Sequence, residues 1–296
     1  MPMTLTLLGT GTPAPLHHRA GSGYLIRSGE EAILVDCGPG CVRRLVELGV
    51  SPTRITSLFF THLHYDHCVD YGYLVLTRWD QGAGLIPELT VHGPSHTARM
   101  TELLFGAHGV FGPDLAARTT QAMSEFIYER RGGTLPRRPP EPRIIEVGPG
   151  AEVEGSSWRV RVAKMIHAEP QLLCLAYRFE TPDGSLVFGG DTAPNERLTE
   201  LARGADTLVH MCHFINGVVT DERLTSGCSG HLDAARTARD AGVRTLVLVH
   251  ITEQLEKPGM RERILYEVGH IFRGTVVFGE DLMEVPLGAL TPAGIQ

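Results

Sequence analysis

The sequence predicts an α/β protein made of two β-sheets with helices on their outer faces. Two patterns predict it. Each half of the chain opens on strand-like segments and ends on helix–strand alternation, and mixed sheets of this kind bury one face on each other and the other under helices. Composition supplies the third observation. The 296 residues are 42% hydrophobic and 21% charged, ordinary globular usage that excludes a disordered, collagen-like or membrane-bundle chain. A chain of this length buries a large core without disulfides.

The elements follow in order. Thr4–Leu8, Gly23–Arg27 and Ala32–Val35 read as a meander, punctuated by the GTGTPAP turn and by Ser28–Gly29–Glu30. Asp36–Cys37–Gly38–Pro39–Gly40 breaks the third strand, and Val42–Leu48 has helical spacing that stops at Gly49. Ile55–Thr61 is an apolar strand running into His62. Leu89–His92 is a short strand before a helix from about Ser95. Residues 132–143, GGTLPRRPPEPR, read as a solvated loop or linker. Strands resume at Ile144–Val147, Trp158–Met165, Cys174–Phe179 and Leu186–Gly189. Helices at 193–203, 232–241 and 261–272 then alternate with strands at Thr207–His210 and Thr245–Val249. Thr275–Phe278 and Leu282–Val285 suggest a closing hairpin around Gly279–Glu280.

Net charge is −7, so a basic nucleic-acid footprint is missing from the total. The six cysteines form no Cys-x-x-Cys pair. The opening stretch lacks a charged segment followed by an apolar one, and no apolar run reaches the about 18–20 residues of a membrane span. The expectation is a reduced, cytoplasmic protein with no membrane partner.

The chemistry concentrates in THLHYDH, residues 61–67. Alternate residues of an extended stretch point to one side, so His62, His64 and Asp66 can converge, with His67 entering as the chain turns. Imidazoles with a carboxylate suit Zn²⁺, with Mn²⁺ or Fe²⁺ as alternatives. His167, Asp191 and His250 each stand where a strand gives way to a loop, the usual position for site residues on a rigid scaffold.

On these motifs the chain resembles the metallo-β-lactamase-fold hydrolases. His62-x-His64-x-Asp66-His67 matches the family's signature. His167, Asp191 in FGGDT and His250 in LVLVHI match its later motifs, and Asp36 in LVDCG matches the aspartate that supports the metal loop. The resemblance runs from LLGTGTP to FGEDLMEV. It implies one domain over residues 1–296, a four-layer αβ/βα sandwich, with an insertion or lid around residues 68–143. It also implies two divalent ions, one on His62, His64 and His167, the other on Asp66, His67 and His250, with Asp191 between them. Two such ions share a water and lower its pKa to give a hydroxide nucleophile, and Asp66 also orients that water. Histidine at 64, where the redox branch of the fold carries glutamate, favours hydrolysis.

LGTGTP (8–13), RAGSGYLI (19–26), DCGPG (36–40) and SGHLDAARTARDAG (229–242) are most similar to the ribonuclease Z and arylsulfatase-like branch. That likeness assigns His231 as a general acid or oxyanion contact. Two departures turn the expectation away from transfer RNA. The branch's His-Glu-Ala-Thr motif reads His210–Met211–Cys212–His213 here, without the glutamate, and His167 and Asp191 are only 24 positions apart, too close for an RNA-gripping arm between them. The expected substrate is therefore a small-molecule ester, lactone, amide or phosphodiester, with nucleic acid the less favoured partner. The alternatives are a transfer-RNA 3′-end endoribonuclease and a non-catalytic metal-binding protein. His213 is expected to support a ligand or face the substrate, Asp36 to hold a ligating imidazole, and the protein to pair as a homodimer. His92 and His96 read as exposed or capping residues, and the aromatic residues of 68–143 as a lid or a self-packed insertion.

Overall fold

In a computed structural model, residues 3–285 and 287 are described, and they form two seven-stranded sheets. In the first sheet, β1 (Thr4–Gly9), β2 (Gly23–Ser28) and β3 (Glu31–Val35) form the antiparallel meander. Next come β4 (Ser57–Phe59), β5 (Thr90–Gly93) and β6 (Arg143–Glu146), all parallel to β3. The second sheet repeats the plan. An antiparallel run of β7 (Glu152–Glu154), β8 (Arg159–Lys164), β9 (Leu175–Thr181) and β10 (Gly184–Phe188) leads into parallel β11 (Thr207–Met211), β12 (Thr245–Val249) and β13 (Thr275–Phe278).

Parallel neighbours need crossovers, and helices supply them. In the first half these are α1 (Cys41–Glu47), the short α2 (Tyr65–Cys68), α3 (Tyr71–Gly82), α4 (Thr97–Phe105), α5 (Gly112–Thr120) and α6 (Ala122–Arg130). In the second half they are α7 (Glu196–Ala202), α8 (Glu222–Thr225), α9 (His231–Ala241) and α10 (Met260–Ile271). The strands are covered on both faces, which is why they read as continuous apolar runs. Along β12, Val247 and Val249 join the core between the sheets, with Leu5, Phe59 and Tyr177, while Leu246 and Leu248 face the helices. There they meet Ala234, Ala235 and Ala238 of α9, whose small side chains belong to the same core.

The expected C-terminal hairpin does not form. β13 pairs in parallel with β12, and the chain then crosses to the other sheet, where β14 (Glu284–Val285) pairs antiparallel with β1. Asp281 staples this crossing by accepting hydrogen bonds from Thr10 N (3.0 Å), Thr10 Oγ1 (2.8 Å) and Ala20 N (2.6 Å).

The Pro/Arg-rich segment is not a free loop either. Arg137 is 5% exposed, stacks 3.8 Å over the Trp79 ring and pairs with Asp80 at 2.9 Å. Arg131 and Arg118 converge on the same carboxylate. Within 68–143, Tyr71, Phe105 and Phe111 pack into the outer core of the first sheet. A cavity of about 570 Å³ lies between α4, α5 and Pro139–Pro142, and none of the seven candidate ligands lines it. His92 is also core: it is 3% exposed and stacks on Phe59 at 4.3 Å. A strand position facing the space between the sheets overrides the polarity of its side chain.

Candidate metal centre

All seven predicted ligands stand just beyond the C-terminal ends of strands. His62 and His64 follow β4, Asp66 and His67 lie in α2, His167 follows β8, Asp191 follows β10 and His250 follows β12. The structure brings them together. His62, His64 and His167 form one group, Asp66, His67 and His250 a second, and Asp191 joins His62 and His67 in a third, with the ligand atoms of each group within 4.8 Å of one another. Asp191 reaches both sides, with His250 Nε2 at 3.1 Å, His67 Nε2 at 3.6 Å and His167 Nε2 at 3.6 Å. Asp66 lies 3.4 Å from His250 Nε2 and 3.5 Å from His67 Nε2.

The surroundings aim these rings. Asp36 Oδ2 sits 2.7 Å from His67 Nδ1, and Asp36 in turn accepts from Thr61 N and Thr61 Oγ1, both at 2.8 Å. The carbonyl of Gly227 lies 2.6 Å from His167 Nδ1. In both cases the far nitrogen, Nε2, is left pointing into the cluster. Asp36 and His250 both occupy the left-handed backbone region, with φ of 58° and 59°. Backbone strain of that kind persists where the surrounding structure holds it, often at functional sites. Gly38 of the DCGPG loop passes under the motif so closely that a Cβ there would lie 1.9 Å from the Asp66 carbonyl oxygen. Asp70 accepts from Gly40 N (3.0 Å) and Val42 N (3.1 Å), tying the same loop to the start of α3.

The electrostatics of the cluster call for a cation. Burial opposes ionisation of Asp191, but His250 and His67 hold its carboxyl well below the usual range. Burial likewise lowers His250, yet Asp191 and Asp66 push it up to about 9. Burial drives His62 well below an ordinary histidine, and neighbouring His67 adds to this. The protein alone therefore gathers protons on His67 and His250 beside two carboxylates. Both Asp66 carboxylate oxygens, His67 Nε2 and His250 Nε2 are buried with no hydrogen-bond partner. Four orphaned atoms of ligand type facing one another are what a divalent ion replaces protons on. The donor set therefore fits metal.

Three predicted residues fall outside the seven: Asp36, already placed behind His67, together with His213 and His231. His213 Nδ1 stands 3.0 Å from His250 Nδ1, directly behind a ligand candidate. His231 is not brought into the cluster. Its ring is fully buried, Nδ1 accepts from Asn216 N at 3.3 Å and Nε2 lies 2.6 Å from Glu267 Oε2 on α10. With both nitrogens engaged, the ring ties α9 to α10, so the proton-donor expectation is at odds with its surroundings. Sequence reasoning missed Glu267, which lies 36 positions away on an amphipathic helix and carries no motif. It also missed Gly227, whose contribution is a backbone carbonyl and leaves no side-chain signal.

The sequence profile described as the metallo-beta-lactamase superfamily matches residues 18–250. The chain belongs to that superfamily. It is a metal-dependent hydrolase of the αβ/βα sandwich fold. Ribonuclease Z of Mycobacterium bovis (strain BCG / Pasteur 1173P2) is 34% identical over 290 residues, covering 96% of this chain and 98% of the relative. Among solved structures, the metallo-β-lactamase-fold protein YhfI of Bacillus subtilis superposes with a TM-score of 0.74 at 21% identity, covering 96% and 99% of the two chains. The short form of human tRNase Z gives 0.66 at 19% identity, covering 97% and 100%. These relatives overturn the expected preference for a small-molecule partner over nucleic acid. The absence of an arm between His167 and Asp191 does not separate this chain from a ribonuclease Z that it matches over 98% of that protein's length. The missing glutamate does not leave His231 unpaired either, because Glu267 of α10 lies 2.6 Å from its Nε2.

Proposed function

We propose that this chain is a ribonuclease that cleaves transfer-RNA precursors at their 3′ side. The observation carrying the proposal is the end-to-end match, at 34% identity, to a protein named Ribonuclease Z. The exposed orientation of the centre supports it: His64 and His167 are only partly buried, so one side of the cluster is open to a large substrate. His62, His64 and His167 would hold one ion, Asp66, His67 and His250 the other, and Asp191 would touch both. Two bound divalent ions, with zinc the expected pair, neutralise charge on a phosphodiester and lower the pKa of a water beside it. The chain's own residues set up that arrangement. Asp36 and the Gly227 carbonyl fix which nitrogen of His67 and His167 faces the cluster. Thr61 anchors Asp36, and the left-handed turn at His250 aims its Nε2 between Asp66 and Asp191. The same reading takes the cytoplasm as the compartment and a homodimer as the assembly. Tyr65 in α2, Val69 just after it and Tyr73 in α3, all exposed beside the motif, support pairing, which sedimentation would measure.

The test is cleavage of a precursor transfer RNA by zinc-loaded protein, with metal content measured on the same sample. Cleavage after the discriminator base, abolished in His64→Ala, is the expected result. An intact precursor in the presence of protein carrying two metals per chain overturns the proposal.

A further inference from the structure

We propose that Met211 is a positioning residue whose thioether holds together the two chain segments that aim Asp191 and His167 into the metal centre. The inference rests on the metal-centre reading above. It concerns the position where the sequence departs from its branch, methionine standing for the glutamate of His-Glu-Ala-Thr. Glu267 lies against His231, so that ring has its carboxylate without one at 211. Met211 ends β11, is 1% exposed and packs with Phe214 and Cys228. With Asp36, His67 and Asp191 it also lines a void of about 10 Å³. A glutamate here would set a third carboxylate beside Asp36 and Asp191. A thioether is an acceptor without charge.

Two buried backbone N–H groups use that acceptor. Thr192 N donates to Met211 Sδ at 3.1 Å and Ser229 N at 3.4 Å, and neither N–H has another acceptor among the described residues. Both residues are fully buried, where an unpaired N–H is costly. Thr192 directly follows Asp191. Ser229 stands two residues beyond Gly227, whose carbonyl lies 2.6 Å from His167 Nδ1. The two segments are also tied to each other and to the backbone beside His167. Ser229 Oγ donates to Thr192 O at 2.7 Å, Ile166 N to Thr192 Oγ1 at 3.2 Å and Ala193 N to Ile166 O at 2.7 Å. One sulfur therefore pins both the residue after Asp191 and the segment whose carbonyl turns His167.

Leucine and glutamine separate this role from packing. Met211→Leu keeps an apolar side chain of similar volume, a swap that cores tolerate, and removes the acceptor. Glutamine is close to methionine in length and ends in an acceptor oxygen. In metal-free protein, amide hydrogen exchange followed by NMR should speed up at Thr192 and Ser229 in Met211→Leu and stay slower in Met211→Gln. Zinc affinity from chelator competition should fall about 10-fold or more in Met211→Leu, as for other residues that hold a ligand in place, and stand closer to wild type in Met211→Gln. A packing role alone would reverse that order. Unchanged exchange at both amides in Met211→Leu overturns the proposal, as does unchanged zinc affinity in that variant or an affinity in Met211→Gln below that of Met211→Leu. If wild-type protein takes up fewer than two zinc ions per chain, the metal-centre reading fails, and amide exchange still decides whether Met211 holds the two segments.

Discussion

Asp36 carries no ligand bond in the scheme above, yet it is the residue whose loss should be felt first. Its carboxylate takes three hydrogen bonds from Thr61 and His67 with no exposure to water. Asp36→Asn preserves size and tolerates the left-handed backbone, but it removes the charge that holds His67 Nδ1–H. Zinc affinity measured by chelator competition should fall about 10- to 100-fold, and unchanged affinity would show that His67 is oriented by other contacts. His92 makes a separate prediction, about acid stability. Burial, helped by nearby Arg143, pulls its pKa down to about 4. The folded ring stays neutral while the unfolded one takes a proton below about pH 6.5. The contribution is therefore fully present above pH 6.5 and is lost as pH falls toward 4, on the order of 3 kcal/mol. His92→Phe should flatten that limb in urea unfolding curves taken between pH 7 and 4; parallel curves for the two proteins would show that the acid sensitivity lies elsewhere.

At the scale of elements, two packing devices hold loops that have no regular structure of their own. The first is the DCGPG turn under the metal motif. Gly38→Ala would force the turn off the Asp66 carbonyl, at a cost of about 1–3 kcal/mol as for other overpacked sites. Zinc content should fall along with the melting temperature, and a variant with full zinc and an unchanged melt would refute the close approach. The second is the Asp80 carboxylate, on which Arg118, Arg131 and buried Arg137 converge. Asp80→Ala leaves Arg137 buried without its counter-charge and should cost about 3 kcal/mol in denaturant unfolding. Hydrogen exchange of residues 132–143 should accelerate with it, and if it does not, the Trp79 stack alone holds the strap. These devices also mark what the sequence conceals. The period of the strands, the glycine and proline breaks and the ligand-bearing strand ends are local signals, and they were legible. Arg137 reads as a solvated charge because its burial depends on Trp79 and Asp80, which lie more than fifty positions away. His92 reads as an exposed or capping residue because one polar side chain in a four-residue strand carries no period.

For the whole molecule, the ligands tie the two halves together. His62, His64, Asp66 and His67 come from the first sheet, and His167, Asp191 and His250 from the second. A metal bound across them stabilises only the state in which both sheets have docked. Chelation should therefore lower the melting temperature in one cooperative transition, which calorimetry would show, whereas a separate low-temperature transition would mean that one sheet melts independently. Here too the sequence was legible only in part. Order and spacing of motifs identified the ligands across both sheets. The crossing of β14 was hidden, because a two-residue strand beside Gly279 looks like the second arm of a hairpin, and only pairing with β1 reveals its true neighbour.

That crossing bears on how the chain can be made. Every other strand of the first sheet is encoded before residue 150, so most of that sheet can assemble early in synthesis. Its outer edge, however, stays bare until β14 emerges, and the Thr10 turn stays unpinned until Asp281 does. Until then the nascent chain exposes an apolar strand edge of the kind that pairs with other chains. Closing that edge waits on residues near 281–285, and until they pair the chain is open to swapping and aggregation.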